Sequence, residues 1–255
     1  MKKSIILLLT AIAAMTGCKT DDTLRYGNVT MGNIDGEVII SDQGNTFDIA
    51  ESLYEVDLSS YEYGRVILAC DVLKKTADNR YDIRLINMTS VLTKQVINAS
   101  AIAADSEEAV EDPIIVEDIW YSGGYINIIM QFAHKAGSQK KHLINLVYDD
   151  AATAEEDGQI KNYTFTLRHN ADGDVPEAET LHNYGTGLGY VSFPVSELIQ
   201  EDKAKLTLKW KAHPWDGCDY NYLDQVDMEK TYDWERIGFE QKVPQTAIIS
   251  TSSLL

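Results

Sequence analysis

Hydrophobic and polar residues alternate with the two-residue period of β-strands from about Val29 onward, and helical periodicity is weak. The segment "GRVILACDVLKKTADNRYDIRLINMTSVLTKQVI" shows the pattern, because two strand-like arms flank "TADNR". One face of the first arm carries Val66, Leu68, Cys70 and Val72. The pair Asp78-Asn79 stands where a turn needs residues that tolerate left-handed backbone. Five or six short strands within about 70 residues predict a small barrel or sandwich.

The run from Ala99 to Pro113 is rich in alanine and acidic residues and is poor strand material, so we place a domain boundary there. Strand patterns then resume in six runs: "IIVEDIWY", "YINIIMQFAH", "KKHLINLVYDD", "IKNYTFTLRHN", "LGYVSFPVSEL" and "KLTLKWKAH". They predict an antiparallel β-sandwich. We expect an N-terminal domain over 29–108 and a sandwich over 109–255. The closing "QKVPQTAIISTSSLL" fits either a last strand or a loosely ordered end.

The stretch "DIWYSGGYINIIMQF" predicts a β-hairpin. A three-residue loop, Ser122-Gly123-Gly124, would pair Tyr121 with Tyr125 and bury Trp120. Both tyrosines would then lie on the outer face as candidate ligand-facing residues. The alternative, a two-residue Gly-Gly turn, would shift the register by one residue and expose Trp120. Ile126, Ile128, Met130 and Phe132 share the face that we expect to be buried.

The first residues, "MKKSIILLLTAIAAMTGCKTDD", have the pattern of an export signal. Two lysines precede an apolar run that is too short to span a bilayer as a permanent helix. The ending "MTGC" resembles a bacterial lipobox and predicts a lipoprotein signal peptide over 1–17 with Cys18 as the lipidated residue. An ordinary signal peptide with an incidental cysteine is the alternative. Residues 18–28 are expected to form a tether, so the mature chain would be anchored to a membrane through lipid without spanning it.

Acidic residues outnumber basic residues by 40 to 22, and the net charge is −18. Such a balance repels phosphate backbones and acidic membrane surfaces. We therefore expect no nucleic-acid partner, and we interpret the acidity as a solubilising surface rather than as a site for a cationic partner.

No pattern specifies a catalytic residue, a metal or a cofactor. The five histidines lack the His-x-x-x-His spacing, and no Gly-x-Ser-x-Gly motif occurs. The segment "RHNADGDVPEAE" approaches a calcium loop, but Arg168 and Pro176 occupy ligand positions, so we expect an Asn/Asp/Gly turn instead. Cys70 lies in a strand pattern and Cys218 in a loop pattern, and we expect two independent thiols.

Aromatic residues give the best indication of a binding surface. The segment "WKAHPWDGCDYNY" contains Trp215, Tyr220 and Tyr222 among acidic and amide side chains. Exposed rings flanked by such groups can stack on a sugar ring while the polar groups bind its hydroxyls. The alternative is that these rings pack over the end of the sandwich.

Five segments, in this order, are similar to the NigD-like lipoproteins of Gram-negative bacteria: "DVLKKTADNRYDIRLI", "DIWYSGGYINI", "HLINLVYDD", "YTFTLRHNADGD" and "YVSFPVSEL". The resemblance spans most of the chain between Val29 and Trp210. It implies an all-β protein with an N-terminal OB-type barrel followed by a C-terminal β-sandwich. No catalytic residue or ligand defines this family, which is named after a gene cluster associated with a bacteriocin.

The resemblance also implies a location in the cell envelope. Acidic residues soon after the lipidated cysteine, as in "CKTDD", look like an outer-membrane surface signal, and "DTL" looks like an O-glycosylation sequon with Thr23 as acceptor. We hypothesise a non-enzymatic surface lipoprotein that acts as a binding or accessory module for a glycan or a protein. The alternatives are a carbohydrate-active hydrolase with unidentified carboxylates and a protective or export accessory of a bacteriocin system.

Overall fold

The computed structural model describes residues 24–154, 160–215 and 217–235. Over these residues the chain forms β1 (Leu24–Asp35), β2 (Val38–Ser41), β3 (Thr46–Ser52), β4 (Arg65–Ala77), β5 (Arg80–Ser90), β6 (Leu92–Thr93), β7 (Ile97–Asn98), β8 (Ile115–Ser122), β9 (Tyr125–Lys135), β10 (Leu143–Ala154), β11 (Asn162–Asn170), β12 (Tyr184–Pro194), β13 (Lys203–Ala212) and β14 (Val226–Glu235). Short 3₁₀ turns cover Leu58–Ser60, Ala99–Ala101, Glu107–Ala109 and Leu181–Asn183. No helix in this part of the chain is long and apolar enough to cross a membrane.

Strands β1 to β5 close into a barrel in the order β1-β2-β3-β5-β4. Strand β1 pairs antiparallel with both β2 and β4, and a parallel pairing of β3 with β5 completes the ring. This five-stranded topology is that of the OB fold. The predicted OB-type barrel is therefore confirmed. Its core includes Ile39, Phe47, Leu68, Cys70, Ile83 and Leu85.

The turn between β4 and β5 has the predicted chemistry. Ala77 pairs with Arg80, which leaves Asp78 and Asn79 as the two turn residues. Asn79 has a φ of 53°. Asparagine tolerates this left-handed backbone better than most residues do.

The C-terminal half is a sandwich of two sheets, ordered β14-β13-β11-β10-β7 and β6-β12-β9-β8. The predicted sandwich is confirmed, and most neighbouring strands in it are antiparallel. Three pairs, β6 with β12, β7 with β10, and β11 with β13, are parallel. The pair β11 and β13 is parallel because the intervening strand β12 lies in the opposite sheet, so the chain returns to the first sheet in its original direction. Buried side chains between the sheets include Ile126, Ile128, Met130, Leu146, Phe165 and Phe193.

The structure places the domain boundary earlier than the expected break between residues 108 and 109. Strand β5 ends the barrel at Ser90, whereas β6 pairs with β12 and β7 pairs with β10, both in the sandwich. The expected tether over 18–28 also ends earlier, because Leu24 already pairs with Val72 in the barrel. Strands of two residues carry too little alternation to be recognised in a sequence, so the pattern indicates a boundary at the alanine-rich run instead.

The barrel packs on the outer face of the four-stranded sheet. Met31, Ile67 and Val91 form a small buried cluster there, against which Trp120 and Tyr190 of the sandwich pack. This face of the sheet is therefore covered rather than solvated.

Beside this apolar contact lies a polar group of residues that we call the junction cluster: Asn33, Asp42, Arg65, Ser122, Tyr125, Asn127 and Ser192. The Arg65 guanidinium donates to both carboxylate oxygens of Asp42, at 2.9 and 2.8 Å. It also donates to Asn127 Oδ1 at 2.8 Å and to Ser192 Oγ at 2.9 Å in the sandwich. Its carbon Cζ lies 3.7 Å from the centre of the Tyr125 ring. Ionic, hydrogen-bonding and cation–π contacts therefore join the two domains.

Candidate ligand-binding site

The predicted aromatic residues lie on the loop between β13 and β14, residues 213–225, which we call the aromatic loop. The structure describes this loop apart from residue 216. Trp215 and Tyr220 form an isolated antiparallel bridge, and Gly217 between them has a φ of 102°. Only glycine adopts this backbone conformation readily. The backbone N–H of Asn221 donates to the Pro214 carbonyl at 2.8 Å, and this hydrogen bond holds the two sides of the aromatic loop together.

Four aromatic rings form a continuous row along the aromatic loop. The centres of Trp215 and Tyr220 are 5.0 Å apart, and the planes are inclined at 70°. Tyr222 follows at 6.5 Å from Tyr220, and His213 lies 5.0 Å from Tyr222. Trp215 is 57% exposed, whereas Tyr220 and Tyr222 are half-buried and His213 is buried. The exposed indole of Trp215 therefore lies at one end of the row, and the buried ring of His213 lies at the other end.

The rings of the aromatic loop are uncharged near neutral pH. Burial raises the pKa of Tyr220, and the nearby Glu117 carboxylate raises it further. Burial also raises the pKa of Tyr222 and lowers that of His213. His213 Nδ1 lies 3.1 Å from the Asp224 carbonyl, so this nitrogen carries the proton and donates. The loop consequently presents neutral rings among exposed carboxylates.

The hairpin between β8 and β9 differs from the expected register. Ser122 pairs with Tyr125, and Tyr121 pairs with Ile126, so the turn is the two-residue Gly123-Gly124. Both glycines have positive φ, 59° and 87°, as a type I′ turn requires. This turn matches the twist of the strands better than a three-residue loop would. The expected pairing of Tyr121 with Tyr125 was wrong.

Tyr125 is not a ligand-facing residue. It is fully buried, and Asn33 of the barrel donates to its hydroxyl at 3.2 Å. The sequence indicated the outer face of β9 correctly, but the barrel covers that face. Tyr121 is half-buried, with its ring 5.3 Å from that of Trp234 in an edge-to-face contact between the two sheets. Trp120 is also half-buried, against the barrel, and is neither core nor exposed as the two alternatives required.

A histidine pair that the sequence did not indicate lies near the end of the β10–β11 hairpin. His142 Nδ1 and His169 Nε2 are 2.8 Å apart, and His169 Nδ1 lies 3.2 Å from the Pro113 carbonyl. The Pro113 carbonyl can only accept, so His169 donates through Nδ1 and accepts from His142 through Nε2. Asp174 Oδ2 is 3.8 Å from His142 Nε2. Knowledge of which strands pair would have been needed to find this contact.

The described residues contain no cluster of three or more His, Cys, Asp or Glu side chains that could hold a metal ion. The segment that approaches a calcium loop forms the expected turn, with positive φ at Asp172 and Gly173. Cys70 is buried in the barrel and Cys218 is exposed on the aromatic loop, and they form no disulfide. Cys18 and Thr23, the expected lipidation and glycosylation sites, lie outside the described residues.

An OB-type barrel packed against a two-sheet sandwich defines a class of two-domain, all-β proteins. The sequence of residues 97–220 matches the NigD-like C-terminal beta sandwich domain. The C-terminal half of the chain is therefore a NigD-like sandwich domain. The matched residues include β7 and extend to the Trp215–Tyr220 bridge.

Solved structures share this fold over most of the chain. A protein of unknown function from Bacteroides vulgatus is 19% identical, with a TM-score of 0.57, over 82% of this chain and 90% of its own. A NigD-like immunity protein from Bacteroides caccae is 16% identical, with a TM-score of 0.54, over 82% and 98%. A protein described as a lipoprotein, from Bacteroides fragilis, is 12% identical, with a TM-score of 0.55, over 85% and 100%. These likenesses concern the fold, and no curated protein matches the sequence.

Proposed function

We propose that this chain is a non-enzymatic lipoprotein of the outer membrane, displayed at the cell surface, whose aromatic loop binds a glycan. The observation that carries the proposal is the indole of Trp215, which is 57% exposed although Tyr220 holds it in place. A solvated ring in a fixed orientation can stack on the apolar face of a sugar without a large loss of side-chain entropy.

The surroundings of Trp215 favour a neutral, hydroxyl-rich ligand. Asp219 and Asp224 are exposed on the same loop and can accept hydrogen bonds from sugar hydroxyls. The net charge of −18 disfavours phosphate-rich ligands.

The test compares the wild-type chain with Trp215→Ala on a panel of neutral polysaccharides in affinity electrophoresis. Leu188→Ala is the matched control, because Leu188 is 55% exposed on β12, outside the aromatic loop. We expect at least one polysaccharide to retard the wild type and the control equally, and to bind Trp215→Ala at least tenfold more weakly. Equal retardation of all three chains, or of none, would contradict the aromatic loop as a glycan site. Cleavage of a retained polysaccharide would contradict the non-enzymatic assignment.

The membrane anchor is tested separately through Cys18. Each buried methylene of an acyl chain contributes about 0.8 kcal/mol, so a lipidated chain partitions strongly into membranes. Cys18→Ala should move the protein from the membrane fraction to the soluble fraction. Treatment of intact cells with a protease should then remove the wild-type protein if it is displayed outside. Membrane partitioning of Cys18→Ala would refute the anchor, and resistance to protease would refute surface display.

A further inference from the structure

Strand β12 has a neighbour along only part of one of its two sides. On the first side it pairs with β9 over its whole length. On the second side β6 pairs with Val191 and Ser192 only. No described strand pairs with residues 184–190 on this second side, which we call the open edge. The open edge therefore ends the four-stranded sheet on the side away from β8.

The backbone of the open edge presents hydrogen-bonding groups to the outside. The Ser192 carbonyl accepts from the Lys94 N–H on this side of β12 at 3.1 Å. Backbone groups of a regular strand alternate between its two sides, so the even-numbered residues direct their N–H and C=O groups toward the open edge. The Tyr184 N–H already donates within the preceding 3₁₀ turn. Thr186 and Leu188, both exposed, thus offer two donors and two acceptors to an added strand.

The open edge lacks the features that usually protect an edge strand from other chains. Charged side chains, proline and β-bulges give this protection in most sheets. Residues 184–190 read "YGTGLGY" and contain neither a charge nor a proline. Their pairing with β9 runs without a bulge, and the Leu188 side chain is 55% exposed. An edge of this kind is a template for the addition of a further strand.

Net charge decides which kind of segment can add to the open edge. The chain has a net charge of −18. A second copy would bring the same charge and is repelled, whereas a positively charged segment is attracted over a long range. Charge therefore favours a cationic partner over self-association through β12.

Carboxylates near the open edge act in the same direction. Burial raises the pKa of Tyr184, and nearby carboxylates, that of Glu177 among them, raise it further. Gln131 of β9, opposite the middle of the open edge, donates to the exposed Glu117 carboxylate at 2.7 Å. Lys135 pairs with Tyr184, but it belongs to β9 on the closed side of β12. The surroundings of the open edge are therefore acidic, as the whole chain is.

We propose that the open edge of β12 binds an extended, positively charged peptide segment of a partner protein, which joins the four-stranded sheet as a further strand. The backbone of Thr186 and Leu188 supplies the hydrogen bonds, and the acidic surroundings attract the lysine and arginine side chains of the segment. Main-chain hydrogen bonds select no particular side chain, so extended shape and positive charge define the class of ligand. This inference is independent of the proposed glycan site, because the aromatic loop takes no part in it.

The first test measures peptide binding to the full chain in a soluble form, with Cys18→Ala, by fluorescence anisotropy. The probe is a labelled octapeptide of alternating lysine and valine. One control peptide alternates lysine with proline, which keeps the charge but prevents strand pairing, and a second alternates glutamate with valine. We expect the lysine-valine peptide to bind at least tenfold more tightly than either control. Equal binding of the two lysine peptides, or no binding of the probe, would overturn the proposal.

The second test locates the peptide with two variants of one residue. Leu188→Pro removes an N–H directed to the open edge and leaves the bonds to β9 in place, because these come from odd-numbered residues. Leu188→Ala keeps that N–H and is the matched control. We expect the proline variant to bind the lysine-valine peptide at least tenfold more weakly than the alanine variant does. Equal affinities would place the peptide elsewhere and overturn the proposal.

Two further measurements use the parent chain, so they do not depend on the folding of Leu188→Pro. In hydrogen exchange, the peptide should slow the amides of Thr186 and Leu188 at least tenfold, and unchanged exchange at both would contradict strand addition. In sedimentation without peptide we expect a monomer. A dimer whose amides at Thr186 and Leu188 become exchangeable on dilution would overturn the proposal in favour of a second copy at the open edge.

Discussion

Arg65 and Asp42 form a bidentate ion pair in which both side chains are completely shielded from solvent. Asp42 belongs to the turn between β2 and β3, and its carboxylate also accepts from Ser122 of the sandwich hairpin at 2.5 Å. The pair is therefore the centre of the contact between the two domains rather than an internal feature of the barrel.

Removal of one partner should strongly destabilise the protein. Asp42→Asn leaves the Arg65 guanidinium buried without its counter-charge, and such a loss costs about 3–5 kcal/mol. Urea unfolding monitored by tryptophan fluorescence measures this change. Asp48→Asn is the matched control, because Asp48 binds Arg80 in a similar bidentate pair at the surface of the same barrel. The control should leave the free energy of unfolding nearly unchanged, and equal losses in both variants would contradict the special role of Arg65.

Gly123 should tolerate no side chain. A Cβ atom at this position would overlap the Asp42 carboxylate, and the backbone has a φ of +59°. Gly36 provides the control, with a φ of +61° and open space around it. We expect Gly36→Ala to cost about 1–2 kcal/mol, because an alanine must adopt left-handed backbone. Gly123→Ala should cost clearly more in urea unfolding, because it also pushes the two domains apart. Similar losses would show that backbone conformation alone sets the cost.

The histidine pair should make the protein less stable in acid. Burial lowers the pKa of His169 to about 3, and it also lowers the pKa of His142. The unfolded chain therefore binds more protons than the folded chain below the ordinary histidine pKa of about 6.5. The contribution of His169 to stability is complete above pH 6.5 and falls as the pH drops toward 3, by up to about 1.4 kcal/mol per pH unit, and His142 acts in the same direction.

Urea unfolding between pH 7 and 4 measures this slope. We expect His169→Gln to reduce it, since glutamine does not titrate, and His182→Gln to leave it unchanged, since His182 is exposed. The same slope in both variants and in the wild type would contradict the assignment to His169.

The two cysteines of the described region should react at different rates. Burial and the nearby charge of Asp71 together raise the pKa of the Cys70 thiol to about 11, whereas Cys218 is exposed. A thiol reacts through its thiolate and needs access to the reagent. In a soluble chain with Cys18→Ala, we expect one equivalent of an aromatic disulfide reagent to react at pH 8 and a second only in guanidinium chloride. Two rapid equivalents in the native chain would show that the barrel opens.

Local patterns were sufficient to predict the strands, the two domains and the position of the aromatic loop. The alternation of buried and exposed residues in a strand, and the ability of Asn79 to adopt left-handed backbone, both depend on a few neighbouring residues. A sequence pattern can therefore predict them. Trp215, Tyr220 and Tyr222 lie close together because one short loop carries them, and their role as ligand-facing residues stays a prediction.

The rest depends on contacts between distant segments. The alternating pattern of β9 places Tyr125 on the face that is normally exposed to solvent. The barrel covers this face, and the barrel residue that contacts the Tyr125 hydroxyl, Asn33, lies 92 residues earlier in the chain. The same contact between the domains buries Arg65. No local sequence pattern indicates that the outer face of a strand meets a second domain, so the sequence does not predict the role of Arg65. The sequence Ser-Gly-Gly permits two loop lengths, and only the packed sheet selects the register in which Ser122 pairs with Tyr125.

The junction cluster has a consequence for how such proteins can change over time. Arg65 of the barrel takes its acceptors from Asn127 and Ser192 of the sandwich as well as from Asp42. A recombination event that replaced either half would leave a buried cation facing a foreign surface. We therefore expect that a homologous barrel can replace this one only together with the sheet on which it rests.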